Sequence, residues 1–223
     1  MISFLSVDRV FVTILGYPMS YVELAGTLLY LASVWLIVKR NAWTWPVGIA
    51  SVILYFLLFY QIRLYSDALE QLYYLGACVY GWWFWLRRGP REGARVAVRF
   101  STPRGMLAAA GATAVLSLGL GRAMSRVHLW APGLFPEPAS YPYVDAATTV
   151  MSFTAMWLLA RQRTEAWVYW ILVDVVGIWL YSVKNVRFVA LLYVLLLIMA
   201  VRGFVGWRRA SSGRAEFETS RAG

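Results

Sequence analysis

Hydrophobic residues along the chain are gathered into long runs, which short polar or charged connections separate. Seven runs come close to the length, about 17 to 25 residues, that an α-helix needs to cross the apolar core of a membrane. They cover residues 21–38, 45–60, 67–86, 106–121, 144–160, 166–183 and 188–207. The pattern therefore predicts an all-α membrane protein with seven transmembrane helices.

The first 20 residues are more mixed, because Asp8 and Arg9 interrupt their apolar residues. No small-residue cleavage site follows, which disfavours a cleaved signal peptide. We expect this segment to form a short helix that lies in the membrane interface.

Composition supports the membrane assignment. Hydrophobic residues make up 61% of the chain and charged residues only 14%, whereas a soluble domain carries about 25% charged residues. A single soluble core of a 223-residue chain could not bury so many apolar side chains. A lipid bilayer is therefore the expected surrounding and partner of this chain.

Few residues are available for enzymatic or metal chemistry. Cys78 is the only cysteine, which excludes a disulfide framework, an iron–sulfur cluster and a cysteine-rich zinc site. His128 is the only histidine, so a zinc site or a Ser/His/Asp triad would lack parts. No phosphate-binding loop of the Walker type is present either. We therefore predict no catalytic residue, no metal and no cofactor.

The basic residues indicate how the chain is oriented. If the seven spans alternate in direction, 15 of the 21 Lys and Arg residues fall on the face that carries the C-terminus. The positive-inside rule makes that face cytoplasmic and leaves the N-terminus outside, together with the proline-rich segment 123–142. The net charge of +10 lies between apolar runs, so it predicts orientation and no nucleic-acid partner.

The two ends of the chain show a loose internal similarity. Equivalent residues lie 120 to 124 positions apart in five pairs, which are Trp43 and Trp167, Arg63 and Arg187, Tyr73 and Tyr193, Gly81 and Gly203, and Trp85 and Trp207. This register predicts parallel three-helix repeats joined by a fourth span, which is a common transporter plan. The alternative is a chance coincidence, since Trp is frequent at span ends anyway.

This 3+1+3 arrangement divides the chain into five parts. They are an N-terminal segment (1–20), a first three-helix repeat (21–86), a basic loop with the connector helix and a proline-rich loop (87–143), a second repeat (144–207) and a basic tail (208–223).

One acidic residue is predicted to lie near the middle of the membrane. Asp174 follows the start of the sixth span by eight residues, which is about 12 Å along a helix. Helical spacing places Trp167, Trp170, Gly177 and Tyr181 on the same face. Indole rings and a carboxylate together suit a flat cationic ligand. The alternative is that Asp174 only bonds to a neighbouring helix and that both Trp residues are ordinary packing.

Other spans contribute a second polar set. The third span carries Gln71 and Tyr74, and the seventh carries Tyr193. An amide both donates and accepts hydrogen bonds, which suits a ligand with amide or hydroxyl groups. Interhelical bonding explains the same residues equally well.

Several short motifs occur in an ordered series from about residue 23 to residue 207. They are WPVG at 45–48, QIRLY at 61–65, LEQ at 69–71, YGW at 80–82 with Trp85, EAWVYW at 165–170 and GFVGW at 203–207. In order and spacing this series resembles the PnuC family of vitamin transporters.

The resemblance implies seven spans arranged like those of SWEET transporters, in a homotrimer of the bacterial cytoplasmic membrane. It also implies uptake of nicotinamide riboside by facilitated diffusion, drawn inward by phosphorylation of the vitamin in the cytoplasm. The family's substrate motif resembles W-x-x-W-x-x-x-N. Trp167 and Trp170 match this motif, whereas Asp174 stands at the position of the Asn.

That difference leaves the vitamin open. An ionised Asp only accepts hydrogen bonds and adds a negative charge, so the pyridinium of nicotinamide riboside and the thiazolium of thiamine are both compatible with it. Thiamine and deoxynucleoside transport therefore stand as alternatives to nicotinamide riboside. Two further alternatives are proton-coupled symport through Asp174 and a membrane protein that does not transport.

Overall fold

The computed structural model describes residues 6–7, 9–14, 16–88, 96–130, 133 and 137–222. Each of the seven predicted runs forms a helix. The described helices are α1 (Tyr21–Val38), α2 (Thr44–Gln61), α3 (Tyr65–Arg88), α4 (Pro103–Met124), α5 (Val127–Trp130), α6 (Pro142–Ala160), α7 (Ala166–Val183) and α8 (Arg187–Ala222). Two strands, β1 (Val10–Ile14) and β2 (Tyr17–Ser20), precede them.

Five of these helices are long and apolar enough to cross a membrane, judged by length and composition within the described residues. They are α1, α2, α4, α7 and the part of α8 from Arg187 to Ser212. The other two long helices, α3 and α6, are not among these five. Their polar side chains meet each other, since the Thr149 hydroxyl of α6 donates to the Glu70 carboxylate of α3 at 3.2 Å.

The N-terminal segment is a β-hairpin, so the interfacial helix predicted for residues 1–20 is wrong over the described part. β1 consists only of β-branched and aromatic residues, VFVTI, which favour strands. The turn contains Gly16 at φ +82°, a conformation that glycine adopts without strain. β2 pairs antiparallel with β1 and ends at Ser20, whose hydroxyl caps α1 by accepting from the Glu23 amide. Residues 1–5, 8 and 15 lie outside the described part.

Six helices form a closed ring in the order α1, α2, α3, α6, α7, α8, and each helix packs against its two ring neighbours. α4 lies outside this ring against α6, where the hydroxyls of Thr113 and Thr154 are hydrogen-bonded at 2.9 Å. The rest of α4 exposes large apolar residues such as Leu107 and Val115.

The two ends of the ring differ. At the end where α1 begins, the β-hairpin packs on the ring, and we call this the hairpin end. At the opposite end lie four Trp side chains that are each at most 2% exposed, and we call this the tryptophan end. These four residues are Trp45, Trp85, Trp167 and Trp207.

Local backbone geometry recurs at a separation of 122 residues. Within the described residues, four non-glycine residues have a positive φ, and they form two such pairs. Arg40 (58°) and Gln162 (61°) follow α1 and α6, while Arg63 (62°) and Asn185 (63°) follow α2 and α7.

The Trp contacts recur at the same separation. A Cβ on Gly81 would lie 2.5 Å from the Trp45 ring, and one on Gly203 would lie 2.6 Å from the Trp167 ring. The structural equivalent of Trp167 is thus Trp45, whereas Trp43, the residue paired with it from sequence, is 68% exposed.

Parts of both predicted long loops lie outside the described residues. In the basic loop these are residues 89–95, which include Arg91 and Arg95, and in the proline-rich loop they are 131–132 and 134–136. Within the latter loop, the short helix α5 replaces part of the extended chain expected there.

Candidate ligand site inside the helical ring

Asp174 lies on α7 and is 3% exposed. Its carboxylate is close enough to act electrostatically on the hydroxyls of Tyr30 on α1 and Tyr193 on α8. Among the described residues, none of these three side chains has a hydrogen-bond partner for its polar group. The three groups therefore lie near one another between α1, α7 and α8.

Tyrosines from other helices complete the surroundings. Tyr55 on α2 and Tyr74 on α3 are electrostatic neighbours of both Tyr30 and Tyr193. Tyr55 is hydrogen-bonded to the Thr27 hydroxyl at 2.7 Å. Tyr74 is hydrogen-bonded to Ser152 on α6. All six ring helices thus contribute a polar side chain to the same region.

Tyr193 is held in place by α7. A Cβ on Gly177 would lie 2.5 Å from the Tyr193 ring, so only a glycine allows this approach. The rings of Tyr193 and Tyr181 stack at 5.4 Å with an interplanar angle of 19°. The predicted face of α7 from Asp174 to Tyr181 therefore faces α8 and the ring interior.

The two predicted stacking residues lie toward the tryptophan end. Trp167 is 2% exposed and meets the Trp207 ring edge-on at 5.6 Å. Trp170 is half-buried and packs against the same hydrophobic cluster. Protein therefore encloses Trp167 in this conformation, and Trp170, one turn nearer to Asp174, retains more exposure.

Gln71 is half-buried on α3, and its amide donates to the Asp67 carbonyl of its own helix at 3.4 Å. It lies one turn from Tyr74, on the side nearer the hairpin end. The structure thus brings Asp174, Tyr193, Tyr74 and Tyr181 together, whereas Gln71 makes no described contact with Asp174.

Tyr30 and Tyr55 were missed from the sequence. Each is a Tyr within an otherwise apolar run, which is the pattern of ordinary interhelical packing as well. The available signal was the depth of Tyr30, which stands in the middle of the first span.

The hairpin end carries acidic and aromatic side chains. The Tyr17 hydroxyl donates to the Glu23 carboxylate at 2.7 Å, and its ring stacks on Phe188 at 5.3 Å. Burial, and next the Glu23 carboxylate, raise the pKa of Tyr17. A cleft of about 530 Å³ lies beside Tyr17, between the hairpin turn and the residues that connect α7 to α8.

No group of three His, Cys, Asp or Glu side chains that could hold a metal ion occurs in the part of the chain that the structure describes. The groups that the candidate site offers are a carboxylate, several phenols and aromatic faces. Such a set can bind a polar or cationic aromatic molecule by charge, hydrogen bonds and stacking.

A ring of mostly apolar helices around a buried polar centre is typical of membrane transporters. A family model described as nicotinamide mononucleotide transporter matches residues 20–209. The chain belongs to this family. Its relatives are transporters and not enzymes.

Two related proteins show the range of the family. The nicotinamide riboside transporter PnuC of Escherichia coli strain K12 is 28% identical over 215 residues, which cover 89% of this chain and 90% of that protein. The riboflavin/roseoflavin transporter RibM of Streptomyces davaonensis is 31% identical over 189 residues, 83% of each chain.

The fold is also similar to a solved structure. The crystal structure of the vitamin B3 transporter PnuC matches with a TM-score of 0.64 at 24% identity. The match covers 84% of this chain and 80% of the other. At this identity the likeness concerns the fold.

Proposed function

We propose that this protein carries nicotinamide riboside across the bacterial cytoplasmic membrane through the six-helix ring. Family membership supports vitamin transport. The observation that favours a cationic vitamin is the buried carboxylate of Asp174, which has no counter-charge or hydrogen-bond partner among the described residues. A buried carboxylate without a partner is costly, and a pyridinium or ribose hydroxyls would satisfy it.

In this proposal, Trp170 and Trp167 stack with the nicotinamide ring. Asp174 binds the ribose hydroxyls or balances the positive charge. Gln71 and Tyr193 make the remaining polar contacts, and Tyr74 and Tyr181 line the same space. Because Trp167 is enclosed in the present conformation, its contact with the ligand requires a rearrangement at the tryptophan end.

Alternating access follows from two halves that move around a fixed site. The turns and Trp contacts that recur at 122 residues support a 3+1+3 arrangement of seven spans, with α4 as the connector. The distribution of basic residues supports an orientation with the tryptophan end and the C-terminus in the cytoplasm and the hairpin end outside. Transport is by facilitated diffusion, driven by phosphorylation of the vitamin inside the cell, and the protein assembles as a homotrimer.

Riboflavin is a second candidate. It is favoured by the 31% identity to RibM, a riboflavin/roseoflavin transporter. The isoalloxazine ring of riboflavin is flat and suits aromatic stacking, but it is uncharged and gains no charge pairing with Asp174. Thiamine and deoxynucleosides remain candidates through the resemblance in sequence motifs only.

Isothermal titration of the purified protein with nicotinamide riboside, riboflavin, thiamine and a deoxynucleoside tests the proposal. We expect nicotinamide riboside to bind most tightly. Tighter binding of riboflavin would transfer the assignment to the second candidate, and no binding of any ligand would favour a membrane protein that does not transport.

Uptake into proteoliposomes tests the mechanism. Facilitated diffusion predicts equal initial rates with and without an imposed pH gradient. A rate that increases with an inward proton gradient would instead indicate proton-coupled symport.

A further inference from the structure

An extended segment at the tryptophan end connects the two halves of the ring, which are α1 to α3 and α6 to α8. The Val96 amide donates to the Arg40 carbonyl at 3.2 Å, and the Arg99 amide donates to the Gln162 carbonyl at 3.1 Å. Arg40 and Gln162 are the left-handed residues that terminate the equivalent turns after α1 and α6. One short segment thus hydrogen-bonds to corresponding positions in both halves.

Further bonds hold this segment to the second half. The Thr164 amide donates to the Arg99 carbonyl at 3.0 Å, which makes Arg99 and Arg163 partners in a parallel bridge. The Ser101 amide donates to both carboxylate oxygens of Glu165 at 3.2 Å. We call residues 96–101 the strap.

The strap covers the tryptophan cluster. Val96 and Val98 are 4% and 2% exposed, and both belong to the same hydrophobic cluster as the four Trp residues. Within that cluster the Trp85 and Trp207 rings, one from each half, lie 6.1 Å apart.

Two of the four Trp residues, Trp85 and Trp207, also join the halves. The Trp85 indole N–H donates to the Ala160 carbonyl, and the Trp207 indole N–H donates to the Ile37 carbonyl, both at 3.1 Å. The first bond joins α3 to α6 and the second joins α8 to α1. These are the two places at which one half of the ring contacts the other. The tryptophan end is therefore closed by bonds between the halves and by the strap above them.

The other two Trp residues, Trp45 and Trp167, have unsatisfied hydrogen-bond donors. In the described part of the chain, the indole N–H groups of Trp45 and Trp167 are enclosed and have no hydrogen-bond partner. These residues occupy equivalent positions in the two halves. A buried donor without a partner destabilises the state that contains it, so the closed arrangement carries the same unfavourable feature in both halves.

We propose that the strap is a latch that holds the tryptophan end closed, and that its release from the second half is a required step in opening this end to the bound ligand. The proposal rests on the transport function proposed above. It assigns to residues 96–101 a role in conformational exchange and none in ligand binding.

A reversible cross-link tests this role. Arg99→Cys and Arg163→Cys on a Cys78→Ala background place two cysteines at bridge partners, whose separation in a parallel pair suits a disulfide. With the disulfide formed, we expect nicotinamide riboside uptake into liposomes to fall to the background of empty liposomes, while titration gives an unchanged Kd. Reduction should restore uptake. Undiminished uptake by the oxidised protein, or loss of binding along with uptake, would overturn the proposal.

A second test needs no ligand, so it separates the strap from the proposed substrate. Cys78, the only cysteine of the chain, is 2% exposed and belongs to the same cluster. Arg99→Pro removes the N–H that bonds to Gln162, whereas Ala97→Pro removes an N–H for which no described acceptor exists.

We expect a maleimide reagent to label Cys78 about three- to tenfold faster in Arg99→Pro than in the unaltered protein, the factor expected from losing one hydrogen bond. Ala97→Pro should label at the unaltered rate. Equal labelling rates in the two proline variants would overturn the proposal. If the double-cysteine protein neither binds nor transports nicotinamide riboside even when reduced, the assigned substrate is wrong, and this labelling experiment decides on the strap alone.

Discussion

Gly203 provides a sharp test of the packing at the tryptophan end. A Cβ at this position would lie 2.6 Å from the Cε2 and Cζ2 atoms of Trp167. Trp167 has little room to move, because it is 2% exposed and meets Trp207 edge-on. Gly206, one turn further along the same helix, has no atom of the described residues within 4 Å of its hypothetical Cβ. Gly206→Ala is therefore a matched control for Gly203→Ala.

The expected difference follows from two opposing effects. Replacing Gly by Ala inside a helix stabilises it by about 1 kcal/mol in both variants. At Gly203 the added methyl also overfills a packed core, which costs about 1–3 kcal/mol. Gly203→Ala should thus be less stable than Gly206→Ala by about 1–3 kcal/mol, or about 2–12 °C in melting temperature for a chain of this size.

Thermal unfolding of the purified variants in one detergent measures this gap. The first half offers a replicate, since a Cβ on Gly81 would lie 2.5 Å from the Trp45 ring, while a Cβ on Gly76 of the same helix would meet no described atom within 4 Å. Gly81→Ala should fall below Gly76→Ala by a similar amount. Equal melting temperatures within both pairs would refute the close Gly–Trp packing and the equivalence of the two halves.

The remaining predictions concern the ligand site and the hairpin. Asp174→Asn should weaken binding of nicotinamide riboside by about 1–3 kcal/mol, because it removes a buried charge while keeping the shape. The same change should weaken binding of the reduced, uncharged form of the vitamin less, and equal losses for both ligands in titration would contradict the charge argument. Trp170→Ala should cost about 1–3 kcal/mol of binding, as expected for a stacked ring, whereas Trp179→Ala, at a 49% exposed position of the same helix, should bind normally. Tyr17→Phe removes the hydrogen bond to Glu23 and should speed amide hydrogen exchange in the hairpin about 2- to 10-fold. The pKa of Tyr17 is raised, so this hydrogen bond is fully present below the ordinary tyrosine pKa of about 10 and weakens only above it. If amide exchange in the hairpin of the unaltered protein already becomes faster at neutral pH, that would be evidence against this hydrogen bond.

Hydrophobic run length predicted the helices well and the hairpin poorly. α1 and α7 have the predicted bounds, because Ser20 and the left-handed turns at Arg40 and Asn185 coincide with changes from apolar to polar residues. The hairpin strands have five and four residues, too few to give a clear periodic signal. Much of the packing that fixes them, such as the stack of Tyr17 on Phe188, comes from distant parts of the chain.

The candidate site was predictable where a charge stood inside an apolar run. Asp174 is such a residue, and its helical neighbours Gly177 and Tyr181 followed from spacing. Tyr30 gave no comparable signal, because a phenol in a membrane helix is found both in packing and in binding sites. The sequence comparison paired Trp167 with Trp43, which lies two residues from the structural equivalent Trp45. Only the contact with Gly81 distinguishes Trp45 as the equivalent of Trp167.

The position of α4 outside the ring sets the direction of the helices that follow it. Three consecutive helices that begin at the hairpin end finish at the tryptophan end. α4 returns the chain to the hairpin end, so α6, α7 and α8 run in the same directions as α1, α2 and α3. Without this return helix, the last three helices would start at the tryptophan end and run opposite to their present directions.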